Sequence, residues 1–250
     1  MSPLPHLRRS AFALALLAFV LHTADRFWWQ PRFERLNLAV DLLLGQALPL
    51  AVIVGLTWWV FGRVVRPYRT APAAFDVEAG TFTAPSAPAV VGSQAILWGL
   101  LAAYAVPARS APGGGSRVLY PDGSDNIAGV VFTLLLLAGA AMWLWRGPRV
   151  TLTPHGLRIR TLRTRSIPWT ELLTGGPAVP VPKQSQLWLN LSRPGGAERW
   201  VALTLSPLYV DGAFLARAIR HYAEHPEDRA AIGTDAEHSR LTEALTVPAA

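Results

Sequence analysis

Few residues in this sequence have both the type and the spacing for chemistry. The strongest pattern is His221-Tyr222-Ala223-Glu224-His225, which matches H-x-x-E-H. Histidines four apart on one helix face can ligate zinc, with the glutamate between them as base. A five-residue pattern arises often by chance, however, and His225 abuts Pro226, which stops a helix. The favoured reading is a polar helix end, where histidine suits the negative end of the helix dipole. Gly113-Gly114-Gly115 is followed by no Gly-Lys-Ser/Thr, so it reads as a linker and not a phosphate cradle. Asp122 and Asp125 lack the spacing and closing glutamate of a calcium loop and read as a hydrated turn. Nucleophile elbows, P-loops and dinucleotide fingerprints are missing. The expectation is a protein that is not an enzyme, with no catalytic residue, metal or cofactor.

With no cysteine, disulfides and thiolate metal sites are excluded together. The net charge of +7 is almost all arginine, Lys183 being the sole lysine. Much of it flanks apolar runs, which points to membrane topology and away from nucleic acid. Arg158, Arg160, Arg163 and Arg165 form an alternating basic series. They are the candidate residues for contact with an anionic lipid surface, against the plainer reading of a solvated strand face. Trp169, Trp188 and Trp200 read as core or shelf aromatics, and His155 as a solvated turn residue.

The elements that would position these groups begin with apolar runs. A hydrocarbon core about 30 Å thick needs roughly 20 apolar residues in a helix. Residues 42–62 and 127–145 meet this, each ending in tryptophan with arginine just outside, as a membrane boundary should. Residues 89–106 are weaker, diluted by Gly92, Ser93 and Gln94. Residues 11–24 are short, and become a span if Arg9 snorkels at one end and Phe27-Trp28-Trp29 anchor the other. The rival for this last run is a signal peptide, but no A-x-A site follows it. Asp41, at the start of the second span, is expected to reach interfacial water or a nearby arginine, and Pro49 to kink that helix. No paired charges within the spans suggest transport.

Residues 1–148 thus form a transmembrane region of four spans. Arg8 and Arg9, then Arg63, Arg66 and Arg69, then Arg146 and Arg149 share one side, which the positive-inside rule makes cytoplasmic. The bias is small, since Arg26, Arg32, Arg35, Arg109 and Arg117 lie opposite. Thr70 to Pro88, rich in Ala, Pro and Thr, is expected to be an irregular loop.

After Pro148 the pattern changes to alternation. Val150 to Arg160 reads as two strands around a Thr153-Pro154-His155-Gly156 turn, with Val150, Leu152, Leu157 and Ile159 facing inward. Gln186–Leu191 and Trp200–Leu205 form a second pair, and Ala178–Val181 an edge-strand candidate. Asp211 caps a helix to about His225 whose apolar stripe is Phe214, Leu215, Ala218, Ile219 and Tyr222. A tail, 227–250, carries a Thr234/Glu237 capping box for a last short helix.

The segment VTLTPHGLRIRTLRTRSIPWTEL, with its T-x-x-G-L-x-x-R hairpin and I-P-W-x-x-L, and the later VDGAFLARAIRHYAEHPEDRAAIGT resemble the PH-like domain of actinobacterial multi-pass membrane proteins. The resemblance implies a β-sandwich or barrel over 149–226 closed by a C-terminal helix, used as a binding module. Such a fold wants seven strands, so further strands are expected within Thr174 to Lys183. The implied role is a membrane-anchored scaffold that presents a cytoplasmic domain to a protein partner or an anionic lipid surface. The alternative is a membrane-embedded enzyme or a transport accessory protein.

Overall fold

Four helical runs are long and apolar enough to cross a membrane: His6–Arg32, Leu38–Tyr68, Pro88–Ala105 and Asn126–Arg146. The computed structural model describes residues 4–34, 36–111, 116–119, 124–161, 163–181, 184–192 and 198–246. The chain divides into two compact units, one of residues 1–69 with 91–146 and one of 70–90 with 147–250.

The first unit opens with α1 (Leu4–Ala24), which continues through a π-helical turn, Asp25–Trp29, and a 3₁₀ turn, Gln30–Arg32. The first apolar run is therefore 27 residues and not the short segment 11–24. The short helix α2 (Leu38–Val40) is capped by the Asn37 side chain, and a second π-helical stretch, Asp41–Ala47, joins it to α3 (Leu48–Val65). Pro49 lies inside the continuous helical run Leu38–Tyr68, where proline removes a ladder hydrogen bond, and the π-helical stretch comes immediately before it. Strands β1 (Asp76–Glu78) and β2 (Thr81–Ala84) follow and belong to the other unit. Next come α4 (Pro88–Ala105), the small hairpin of β3 (Ala108–Ser110) and β4 (Arg117–Leu119), and α5 (Ser124–Arg146).

Of the residues that dilute α4 as an apolar run, Gly92 packs it, and Gly99 further along does the same. A side chain at Gly99 would lie 2.3 Å from the Ala15 carbonyl, and one at Gly92 would strike Phe61. Ala11, Ala15 and Ala18 of α1 are likewise buried. Small residues let helix backbones approach closely, the usual source of helix association in lipid, where apolar surface alone gives no preference. Of the four runs α4 is the most buried, at 44%.

The second unit is built on an antiparallel sheet of order β1-β2-β5-β6-β7, where β5 is Arg149–Thr153, β6 Gly156–Arg160 and β7 Thr164–Pro168. Val150 pairs with Ile159, Leu152 with Leu157 and Leu157 with Ile167, so alternation lays one apolar face on the core as expected. A side chain at Gly156 would fall 2.2 Å from the Ile167 carbonyl, which fixes glycine at this hairpin corner. A separate hairpin, β8 (Gln186–Ser192) with β9 (Glu198–Thr204), contributes Leu187, Leu189, Leu191 and Leu203 to the same core. Helix α6 (Gly212–Glu224), capped by Asp211 through Phe214 N–H at 2.7 Å, buries the anticipated stripe completely.

The domain limits expected from the sequence are corrected on both sides. Residues 70–88 are not an irregular loop, because β2 pairs with β5, Phe82 lying opposite Leu152 and buried beside Phe75. The Tyr209 and Ala87 amides bond to Pro85 and Pro207 carbonyls and tie this segment in further. The last short helix expected within 227–250 forms as α7 (Asp235–Thr246), and it belongs to the domain rather than to a tail beyond it, placing Leu241, with Ile232 ahead of it, in the core. Thr234 Oγ1 accepts from Glu237 N–H at 3.3 Å, but the Glu237 carboxylate does not reach back, so only half the capping box forms. No strand lies within 174–181, including the Ala178–Val181 candidate; Pro182 and Lys183 fall outside the described residues.

Candidate functional site

The arginine series is divided by register. Residues directly opposite in an antiparallel pair share a face. Arg160 lies opposite Arg149, and Arg158 opposite Thr151 and Ser166, on the polar face of the sheet. Arg165, opposite Ile159, is on the other face at the margin of the core, and Arg163 occupies the β6–β7 turn. The expected row of four therefore becomes Arg149, Arg158 and Arg160 on one face, flanked by exposed Arg163. Arg149 is a member that alternation along one strand could not reveal. None of these side chains makes an ion pair among the described residues. Like charges set directly opposite across strands repel, so this face stores positive potential that no ion pair among the described residues relieves.

The H-x-x-E-H residues do not assemble a zinc peptidase centre. Glu224 accepts from the Gly175 amide at 3.2 Å and pairs with Arg220, whose guanidinium donates to the Gly175 carbonyl at 2.6 Å. His225 stacks on His221 at 4.6 Å, its Nδ1 3.0 Å from the His221 carbonyl. His221 instead joins Asp228 and Glu237, whose ligand-type atoms lie within 4.8 Å of one another. Arg240 occupies the centre of that trio. It bonds both Glu237 oxygens at 2.7 and 2.9 Å and Asp228 Oδ2 at 2.7 Å, while Tyr222 donates to Glu237 at 2.8 Å. The guanidinium already supplies the positive charge a metal would bring, so the cluster is a latch between α6 and α7.

The electrostatics agree. Burial, reinforced by His225, holds the His221 imidazole below its ordinary value, and the Arg240 hydrogen bond holds the Asp228 carboxyl low. Burial and the Glu237 carboxylate push the Tyr222 phenol up. Arg240, bonded to two carboxylates, is held more firmly protonated still.

A groove of about 480 Å³ lies between the loop 173–179 and the outer face of the β8–β9 hairpin. Trp188 and Trp200 line it and are 45% and 59% exposed, so neither is a core aromatic; Trp169 is, at 3%. Trp188 pairs with Ala202 and Trp200 with Asn190, which makes the indoles diagonal neighbours on one face. The signal was in the strand itself, since alternation with Leu187, Leu189 and Leu191 inward turns Trp188 outward.

The first unit holds polar groups that the expected span limits hid. His22 is fully buried, its Nδ1 3.6 Å from Asp25 Oδ2, and neither ring nitrogen has a hydrogen-bond partner among the described residues. Its ring meets Tyr104 edge-on at 4.4 Å, and Arg26 donates to the Ala103 carbonyl at the end of α4. Asp41 is half-buried and accepts from Gln46 at 3.1 Å rather than meeting an arginine. Because α1 runs past Ala24, Asp25 joins His22 inside the first apolar run, whereas the expected limit at Ala24 left it out. His155 is exposed in its turn as anticipated, Asp125 lies within α5, and Gly113, Gly114, Gly115 and Asp122 fall outside the described residues.

Comparison with models of known protein families, with curated proteins and with solved structures finds nothing similar to this chain.

Proposed function

We propose that this chain is a multi-pass membrane anchor carrying a PH-like binding domain on the cytoplasmic face, and that the domain lays its arginine face on the anionic leaflet while it recruits a protein partner. The observation that carries this reading is the unrelieved Arg149/Arg160 pair with Arg158 beside it, three residues beyond the end of α5. Basic residues near an anionic surface gain about 1 kcal/mol each, and anionic lipid removes the repulsion within the row. Seven strands among the described residues of the second unit, β1, β2 and β5 to β9, with α6 closing the core, support the PH-like reading. The further strands expected within 174–183 do not occur in 174–181, whereas β1 and β2 add two to the sheet from ahead of α4. The role proposed is binding.

The test is amide hydrogen exchange on the full chain in nanodiscs with and without anionic lipid. Residues 156–167 should gain protection in the anionic discs alone, salt should reverse the gain, and an Arg149→Ser/Arg158→Ser/Arg160→Ser variant should lose it. Equal exchange in both discs would refute lipid contact. Reporter fusions at the C-terminus test the cytoplasmic placement separately.

One observation favours a second reading, a transport accessory or membrane-embedded enzyme. A buried histidine beside a buried carboxylate within an apolar run is costly, and such groups usually serve function. That reading requires His22→Ala or Asp25→Asn to abolish a solute or proton flux in proteoliposomes while leaving the helices assembled.

A further inference from the structure

We propose that the groove between the loop 173–179 and the β8–β9 hairpin binds an extended, proline-rich peptide segment that carries a basic residue. This rests on reading the second unit as a binding domain, and it is independent of lipid contact by the arginine face.

Four features point to that occupant. First, the shelves match it in spacing. Diagonal positions on an antiparallel pair are roughly 7–8 Å apart. A polyproline II segment has three residues per turn and a rise of about 3.1 Å, so residues i and i+3 share a face roughly 9 Å apart. Trp188 and Trp200, with small Ala202 between them, therefore offer two flat apolar faces to the prolines of a P-x-x-P segment. Two exposed indoles on the water-facing side of a hairpin are otherwise unneeded, since Gln186 and Thr204 on the same face show that polar residues suffice there.

Second, the groove supplies the donors such a segment lacks. Polyproline II forms no internal hydrogen bonds, so its carbonyls seek partners outside. Both indole N–H groups are without a partner among the described residues. The Gln184 side chain accepts from the Val181 amide at 3.0 Å, which turns its oxygen inward and frees its NH₂ to donate.

Third, the charge is selective. Glu198 is the one charged side chain among the described lining residues, in a chain of net charge +7. It accepts from Asn190 Nδ2 at 3.3 Å and lies at the Trp200 end of the groove. An acidic or phosphorylated peptide is repelled there, and an arginine or lysine beside the prolines is attracted.

Fourth, the wall is preformed. The Leu173 amide bonds to the Asn190 carbonyl at 3.1 Å, and Gly175 is clamped through its amide by Glu224 and through its carbonyl by Arg220. A rigid groove and a ligand already extended in solution both reduce the ordering cost of association. The clamp also explains the Glu224 of the H-x-x-E-H motif, which holds one side of the groove in place.

The experiment is panning of an unbiased random dodecapeptide display library on the full chain in nanodiscs of zwitterionic lipid, with the Trp200→Ala protein as the counter-selection. Because no anionic lipid is present, failure here bears on the groove alone and leaves the leaflet reading to its own test. The expected result is enrichment of sequences with prolines three apart and an Arg or Lys beside them. The best such peptide, synthesised and measured by anisotropy, should bind about tenfold or more weakly to Trp188→Ala and to Trp200→Ala. Glu198→Gln should weaken the parent peptide but not a version with its basic residue changed to alanine. Both tryptophans are exposed, so these variants keep the core, and unchanged hydrogen exchange across β8–β9 verifies it. Enrichment of sequences without the proline pair, of helical or acidic ones for instance, overturns the proposal. So does an absence of enrichment, or binding indifferent to both tryptophans.

Discussion

Phe82→Ala tests whether a segment lying between two of the long apolar helices is structural to the second unit. The side chain is fully buried in β2, opposite Leu152, stacked on Phe75 at 5.9 Å and facing His238 at 5.8 Å. An aromatic of this kind buries roughly 150–250 Å². At about 25 cal/mol per Å² the transfer loss alone is roughly 4–6 kcal/mol as an upper bound, and measured Phe→Ala substitutions in cores cost about 3–5 kcal/mol. A domain is stable by only about 5–15 kcal/mol, so most of the reserve would go. Hydrogen exchange of full-length protein in nanodiscs can read this locally. Amides of β5 and β6, paired on the far side of β2, should exchange faster by a factor of about 100 or more, whereas those of α3 should not change. Glu78→Ala, at an exposed site in β1, is the control. A change in β5 and β6 no larger than the control's would mean that residues 70–90 merely lie against a domain that stands without them.

Gly99→Val should disrupt packing of α4 on α1, since its Cβ would fall 2.3 Å from the Ala15 carbonyl; overpacking costs about 1–3 kcal/mol, and a thermal aggregation assay in detergent should show a lower midpoint. Gly55→Val, with nothing within 4 Å, should not shift it. For the α6–α7 latch, His221 and Asp228 both have folded values below their ordinary 6.5 and 3.8. The unfolded chain therefore binds more protons than the folded one as pH falls, first through His221 below about 6.5 and then through Asp228 below about 4, so stability is full above the first value and declines on acidification. Urea unfolding of the second unit, followed at α7 by hydrogen exchange, should be easier at about pH 5 than at about pH 7.5. His221→Asn should shrink that difference; an undiminished difference would assign the loss to other groups.

What the sequence showed, and what it hid, follows from how far each signal reaches. Helical runs such as 127–145 are self-contained, because their apolar length is sufficient evidence. The β5–β6 hairpin and the stripe on α6 are local as well, with alternation and 3.6-residue periodicity read inside a few turns. Strands β1 and β2 were illegible because three or four residues are too few to show a period, and β5, the strand that joins β2 to the rest of the sheet, lies more than sixty residues away. The basic face was half legible: alternation assigns Arg158 and Arg160 to one side of their own strand, but the face of Arg165 depends on the β6–β7 register, which the turn at 161–163 sets. Likewise Glu237 looked like a capping residue from its spacing, yet the phenol and guanidinium of Tyr222 and Arg240 claim its carboxylate.

The pairing of β2 with β5 also bears on topology in a way that charge counting cannot. Hydrogen-bonded neighbours in one sheet must lie on the same side of a bilayer, and Phe82 opposite Leu152 joins a segment ahead of α4 to one after α5. A chain that crosses with these helices must therefore pass through α4 and return through α5, an even number of crossings between the two halves of the sheet. The side so defined is the one that receives Arg63, Arg66 and Arg69 after α3 and Arg146 and Arg149 after α5. Arginine bias on its own was weak, because the opposite loops carry Arg26, Arg32, Arg35, Arg109 and Arg117. Of these, Arg26 donates to the Ala103 and Val106 carbonyls and Arg117 pairs with Glu34, so two of the opposing charges are held within the first unit. Sheet pairing fixes which arginine groups share the domain's side, and the reporter fusions at the C-terminus test whether that side is the cytoplasmic one, the outcome the positive-inside rule predicts.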